Sequence, residues 1–270
     1  MRSIRSRSAR LLVSSAVVFA IGATIAGCQT TQSPQPTETT GTLPPAPADR
    51  SEADWRHDVA VYGQQYRATP ANVDLALHYA QALRAIGQRA QAVAVLERAS
   101  LENPRNKAVL GAYGRALAEA GSYEQALEVL GRAHTPDQPD WHILSAQGAV
   151  LDQMGRHTEA QRYYLTALKM VPDEPSVLSN LGLSYALSKD LTNAEATLRR
   201  AAAHQPVDQR VRQNLALVVG LQGRFAEAES IARADLPPEQ AAANVAYLRQ
   251  MLARHGDAPG RGPRSANGST

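Results

Sequence analysis

From Ser51 onward the apolar residues fall at three- and four-residue intervals, as on one face of a helix, not in the alternation of a strand. Trp55, Val59, Tyr62 and Tyr66 share one such face. The prolines then set a longer rhythm. Pro70, Pro104, Pro172 and Pro206 stand 34, 68 and 34 residues apart, and the missing member falls at Gln138, between Pro136 and Pro139. Placing residue 1 at Val73, Lys107, Trp141, Pro175 and Gln209 brings five units into register. Position 8 is then Ala80, Gly114, Gly148, Gly182 and Ala216, and position 20 is alanine throughout (Ala92, Ala126, Ala160, Ala194, Ala228). Position 27 is Ala99, Ala133, Ala167 and Ala201 in the first four units. Position 15 is Gly87, Gly121, Gly155 and Gly223, with Lys189 the exception.

A unit with a glycine near its middle and a proline near its end predicts two helices. Glycine accepts the positive φ of a helix C-terminus, and proline stops the second helix. Small residues at positions 8, 20 and 27 let helix axes approach, while large ones at 4, 7, 11 and 24, such as Leu178, Leu181, Tyr185 and Leu198, fill the space between. This pattern resembles the tetratricopeptide repeat (TPR), best in "PSVLSNLGLSYALSKDLTNAEATLRRAAAHQP". The resemblance implies an all-α fold, a right-handed superhelix of about five helix pairs spanning residues 73–238. Residues 51–72 are expected to form a capping helix or half-repeat. After the "ADLPPEQ" break, residues 239–255 are expected to form a truncated first helix with a polar outer face, as a terminal cap needs. An array grows in one dimension, so one solenoid is expected rather than several domains.

The ends differ in composition. Arg2, Arg5, Arg7 and Arg10 precede the uncharged run 11–27 (LLVSSAVVFAIGATIAG), the order of a secretory signal. Seventeen residues, many of them small, are short for a membrane span, which favours cleavage over a permanent anchor. "IAGC" resembles the lipobox of bacterial lipoproteins. That resemblance implies cleavage after residue 27 and a covalent diacylglycerol and N-acyl lipid on Cys28, the sole cysteine; an ordinary signal ending near a cysteine is the alternative. Two or more acyl chains anchor stably where one does not. Gln29 follows; in lipoproteins, absence of an Asp there implies the periplasmic face of the outer membrane. Residues 28–50, with five prolines and little to bury, predict a disordered spacer, and residues 256–270 a disordered tail. The leader holds four of the 28 basic residues and none of the 25 acidic ones, so without it 24 basic residues face 25 acidic. That balance gives no basic surface for nucleic acid.

Catalytic chemistry has little to stand on. The seven histidines form no HExxH, and no GxSxG or phosphate loop is present, so no enzyme, metal or further cofactor is expected. His134 and His142 flank a proline-bearing loop that could bring them together; the alternative, which the sequence favours, is solvated loop and helix-end histidines. The acidic residues of the second helices, Glu195 and Glu227 among them, read as a solvated face. What remains is surface. In TPR geometry positions 2, 5, 6, 9, 12 and 13 of the first helix line a peptide-binding groove, which here includes His78, Gln81, Arg84, Arg115, His142, Ser145, Ser179, Asn180, Arg210, Gln213 and Asn214. Asn180 and Asn214 could donate and accept along a peptide backbone, and Arg210 could pair with a carboxylate. An ordinary polar lining is the alternative.

Three runs go further: "HTPDQPDWHILSAQGAVLDQMGRHTEAQRYY", "PSVLSNLGLSYALSKDLTNAEATLR" and "DLPPEQAAANVAYLRQML". They resemble the TadD-like TPR lipoproteins of the tight adherence (Tad, Flp pilus) apparatus, and the match includes the irregular DLPP break. It implies a membrane-anchored, pilotin-like adaptor whose protein partner is the secretin or another pilus-assembly component. A general envelope scaffold organising peptidoglycan enzymes is the alternative.

Overall fold

The computed structural model describes residues 50–256; the leader, Cys28, nearly all of the spacer and the tail beyond Gly256 lie outside the described residues. Within them are twelve helices and no strand, only an isolated bridge between Thr135 and Gln138. α1 (Glu52–Ala68) comes first. Five pairs follow: α2 (Val73–Ala85) with α3 (Arg89–Glu102), α4 (Lys107–Glu119) with α5 (Tyr123–Arg132), α6 (Trp141–Gln153) with α7 (His157–Met170), α8 (Pro175–Leu187) with α9 (Leu191–Ala202), and α10 (Gln209–Leu221) with α11 (Phe225–Ala232). α12 (Pro238–Gly256) ends the series.

The first helix of each pair opens at residue 1 of the 34-residue unit, and the residue just before it explains why. Asn72, Asn106, Asp140, Glu174 and Asp208 each accept a hydrogen bond from a backbone N–H of the first turn. Each thereby satisfies one of the four donors a helix start leaves open, worth about 1 kcal/mol. At the mid-unit turns the backbone must enter the left-handed region. Gly87, Gly121, Gly155 and Gly223 have φ of 75, 84, 74 and 81°. Lys189 takes the same conformation at φ 67°, so the unit that lacks the glycine keeps the turn and carries the strain. Pro70, Pro104, Pro172 and Pro206 lie just beyond α1, α3, α7 and α9, where a missing N–H does no harm.

Packing within a pair turns on positions 8 and 24. Gly114 faces Leu130, Gly148 faces Tyr164 and Gly182 faces Leu198; a Cβ on any of these glycines would lie 2.5 to 2.7 Å from the opposing side chain. The large partners are fully buried, each worth about 1.5–3 kcal/mol of apolar transfer. The core is a chain of clusters passing from unit to unit: Leu83, Leu96, Leu110, Leu117 and Leu130 at one end, then Tyr164, Leu178 and Leu181, then Leu198, Val218 and Val219. α6, at the centre, is buried from Ile143 to Asp152.

The last unit departs from the pattern. α11 is cut to eight residues, and Arg212 on α10 forms a double ion pair with Asp235 in the DLPP segment. α12 begins at Pro238, a residue ahead of the cap expected at 239, because proline's fixed φ suits the first helical position. Ala241 and Val245 of α12 close the final clusters.

Candidate functional site

First helices of neighbouring units touch one another along the array, and their shared inner face carries the residues that chemistry could use. Its ladder is made of paired side chains one unit apart. The Asn180 amide donates to Ser145 Oγ at 3.2 Å, and Asn214 donates to Ser179 Oγ at 2.9 Å. Both serines are buried, at 8% and 7% exposure. The two asparagines therefore tie units together through one amide N–H each, which leaves the second N–H and the Oδ1 outside these bonds. The reading from sequence did not include this bond: an amide next to a buried hydroxyl hydrogen-bonds to it.

Arg84 is likewise engaged, in a two-pronged pair with Glu119 of the next unit at 2.5 and 2.7 Å. Arg210 pairs with its own cap, Asp208. His142 hydrogen-bonds to Asp140 at 3.0 Å and stacks on Trp141. Burial alone would raise the Asp140 carboxyl, but the His142 N–H and ring outweigh it and hold it below the usual range. His78 stacks on Tyr62. Gln81, Arg115 and Gln213 have no hydrogen bond or ion pair among the described residues, and the first two of these lie in the N-terminal half of the array, on α2 and α4.

An open hollow of about 360 Å³ lies between α4 and α6, lined by Lys107, Ala108, Gly111, Arg115, Asp140, His142 and Ile143. Burial, then the nearby Arg84, pulls the Arg115 guanidinium below its ordinary pKa, with Asp140 and Glu119 opposing. At the other end the face is apolar. Leu187 is 56% exposed and Leu217 43%, with Leu183 and Leu221 beside them partly buried.

Sequence reasoning missed one group. Asp152 lies inside α6 with its carboxylate buried, accepting from His157 Nδ1 at 2.9 Å, Ser184 Oγ at 2.8 Å and Tyr164 Oη at 3.0 Å. Burial, then the Asp152 charge, pushes the Tyr164 hydroxyl well above its ordinary pKa, so it stays a donor. The network joins units three and four around an Asp152 side chain that is 1% exposed, so its role is structural. His134 and His142 do not converge: His134 Nε2 lies 3.1 Å from Gln147 Oε1. Among the described residues no group of three or more His, Cys, Asp or Glu could hold a metal ion, and no helix is long and apolar enough to cross a membrane.

Two tetratricopeptide-repeat family models match, at residues 87–148 and 145–208. No curated protein matches the chain. Among solved structures, the APC/C hetero-tetramer Cut9–Hcn1 is similar at 15% identity and TM-score 0.62 over 77% of this chain and 41% of that one. A tetratricopeptide repeat protein from Parabacteroides merdae ATCC 43184 is similar at 17% identity and TM-score 0.58, over 76% and 82%. MamA from AMB-1 is 25% identical over 55% of this chain and 88% of that one, at TM-score 0.47. At such identities the first two share the fold alone. Repeats of this kind are protein–protein interaction scaffolds and are generally not catalytic. With matches running from residue 87 to residue 208 on an unbroken series of helix pairs, that stretch of the chain is an all-α solenoid of tetratricopeptide repeats.

Proposed function

We propose that this protein is a lipid-anchored adaptor of Tad/Flp pilus assembly, held at the periplasmic face of the outer membrane by acylated Cys28, with the inner face of its first helices engaging the secretin or another assembly component. The observation that supports it best is the DLPP segment. There the array breaks its own period, α11 is shortened, and Arg212 clasps Asp235; the likeness to TadD-like lipoproteins runs through that irregularity, which generic repeats do not need. The spacer of residues 28–50, at about 3.1 Å per residue if extended, would let the solenoid reach some tens of ångströms from the bilayer.

Cys28→Ala is expected to release the protein from membranes and to abolish piliation together. Normal surface pili on cells carrying only that variant would refute the proposal. Affinity capture from solubilised membranes tests the partner: recovery of the secretin supports it, whereas recovery of peptidoglycan hydrolases or synthases in its place would replace it with the general envelope scaffold.

A further inference from the structure

The hollow between α4 and α6 exists because one rung of the inner-face ladder is missing. Gly111 stands at the position that Ser145 and Ser179 fill in the next two units, and Ala146 stands where Asn180 and Asn214 do. Neither carries a polar group, so no hydrogen bond bridges the helices there. Arg115 folds into the space. A Cβ on Gly111 would lie 2.8 Å from Ile143 Cδ1 and 3.5 Å from Arg115 Nη1, which puts the guanidinium over the bare glycine.

Every neighbouring charge already has a partner. Arg84 is held by Glu119, Asp140 by His142, and the Lys107 amine donates to Gln138 at 2.8 Å. Of the described charged groups around the hollow, Arg115 alone has neither hydrogen bond nor ion pair, although burial lowers its pKa. A guanidinium carries five donors in a fixed fork, a shape that fits a carboxylate. Leaving such a group half-buried and unmet costs free energy that an incoming anion recovers.

Further along the same face, Leu183 and Leu187 on α8 and Leu217 and Leu221 on α10 occupy positions 9 and 13, which in unit two are Arg115 and Glu119. We propose that Arg115 and this leucine strip are the two ends of one docking track, taking a partner-protein segment with an acidic side chain at one end and apolar side chains at the other. Packed helices lie 8–10 Å apart, so α4 to α8 or α10 is roughly 16–30 Å, or about 5–9 residues of extended chain. The protein's own tail does not fit. Residues 257–270 contain no Leu, Ile, Val, Met or aromatic residue, and Arg261 and Arg264 outnumber Asp257.

The proposal rests on the reading of the inner face as the docking surface, and one experiment separates the two. A phage library of random peptides about 16 residues long, enough to span the track, is panned on the full chain in detergent. Selected peptides are expected to place Asp or Glu about 5–9 residues from a pair of Leu, Ile, Met or Phe. Arg115→Gln is expected to weaken them about 10- to 100-fold, the loss of a charge-assisted fork, and Arg115→Lys by less. Leu187→Ser with Leu217→Ser is expected to weaken them similarly, with circular dichroism unchanged in every variant. Peptides that bind the Arg115→Gln protein as tightly as the parent, but lose the double leucine variant, would overturn the Arg115 subsite and leave the inner-face reading standing. Peptides indifferent to all these substitutions, or no enrichment at all, would overturn both.

Discussion

Gly182→Ala sets two known effects against each other at one atom. Alanine in place of glycine inside a helix gains about 1 kcal/mol. Here, however, the new Cβ would lie 2.6 Å from Leu198 Cγ, 3.1 Å from its Cδ2 and 3.3 Å from the Ala194 carbonyl oxygen. Leu198 is fully buried and has nowhere to swing. Overpacking of this kind costs about 1–3 kcal/mol. Unit one, where Ala80 and Leu96 share a cluster, shows that helices built around such a pair can hold it. The cost should therefore stay in the middle of that range, leaving a net loss of about 1 kcal/mol. The sharper readout is a change of sign. In a Leu198→Ala background, which alone should lose about 2–5 kcal/mol, the clash disappears and the pair becomes Ala–Ala, as Ala216 and Ala232 are in unit five. There, Gly182→Ala should stabilise by about 1 kcal/mol. Urea unfolding followed by far-ultraviolet circular dichroism on the four proteins of this cycle gives both numbers. The same sign in both backgrounds would refute the proposed contact between positions 8 and 24.

Other perturbations follow from single groups. Asp152→Ala strands the Tyr164 and Ser184 hydroxyls in the interior and should cost about 3–5 kcal/mol, against about 1–3 for Asp152→Asn, which keeps an acceptor; urea midpoints distinguish them. Lys189→Gly relieves a positive φ and should raise stability by about 1 kcal/mol in the same assay. Glu195 accepts from Arg224, Arg199 and Gln222, and these bonds, against burial, hold its pKa down to about 2 from 4.5. Its contribution is therefore complete above pH 4.5 and lost as pH falls towards 2, a loss of about 1 kcal/mol after screening by solvent. Melting curves should show a smaller decline over that range in Glu195→Gln than in the parent, the remaining paired carboxylates being common to both.

The period was legible because each of its marks has a local cause that repeats: a cap, a left-handed turn, a proline stop and a small residue where helices cross. Even Lys189, which breaks the composition, could be assigned its turn from the neighbouring units, since four other backbones dictated it. The inner face was harder to read. Whether Asn180 is available or engaged depends on the side chain one unit earlier, and the signal was present as Ser145 to Asn180 and Ser179 to Asn214, each 35 residues apart. Asp152 went unnoticed because acids on helices are usually solvated; its mark was a charge directly after the uncharged run from Ile143 to Leu151. Glu195 and Glu227, read as solvated face, form a cross-helix network with Arg199 and Arg224. Long side chains on adjacent second helices meet only once the units stack. The leucine strip occupies positions 9 and 13, both assigned to the groove from sequence, but its residues went unnamed there because the search was for polar groups, and Leu187 and Leu217 stand exposed.

The caps Asn72, Asn106, Asp140, Glu174 and Asp208 recur every 34 residues, so each unit carries its own start, turn and stop. Such a unit can be copied or deleted whole without designing a new junction. A gene duplication that inserted one pair between α5 and α8 would lengthen the interval from Arg115 to Leu187 by a single helix step, about 8–10 Å, and leave both ends chemically unchanged. Lineages could thus retune which ligand length is accepted by counting units, with no point mutation at either contact.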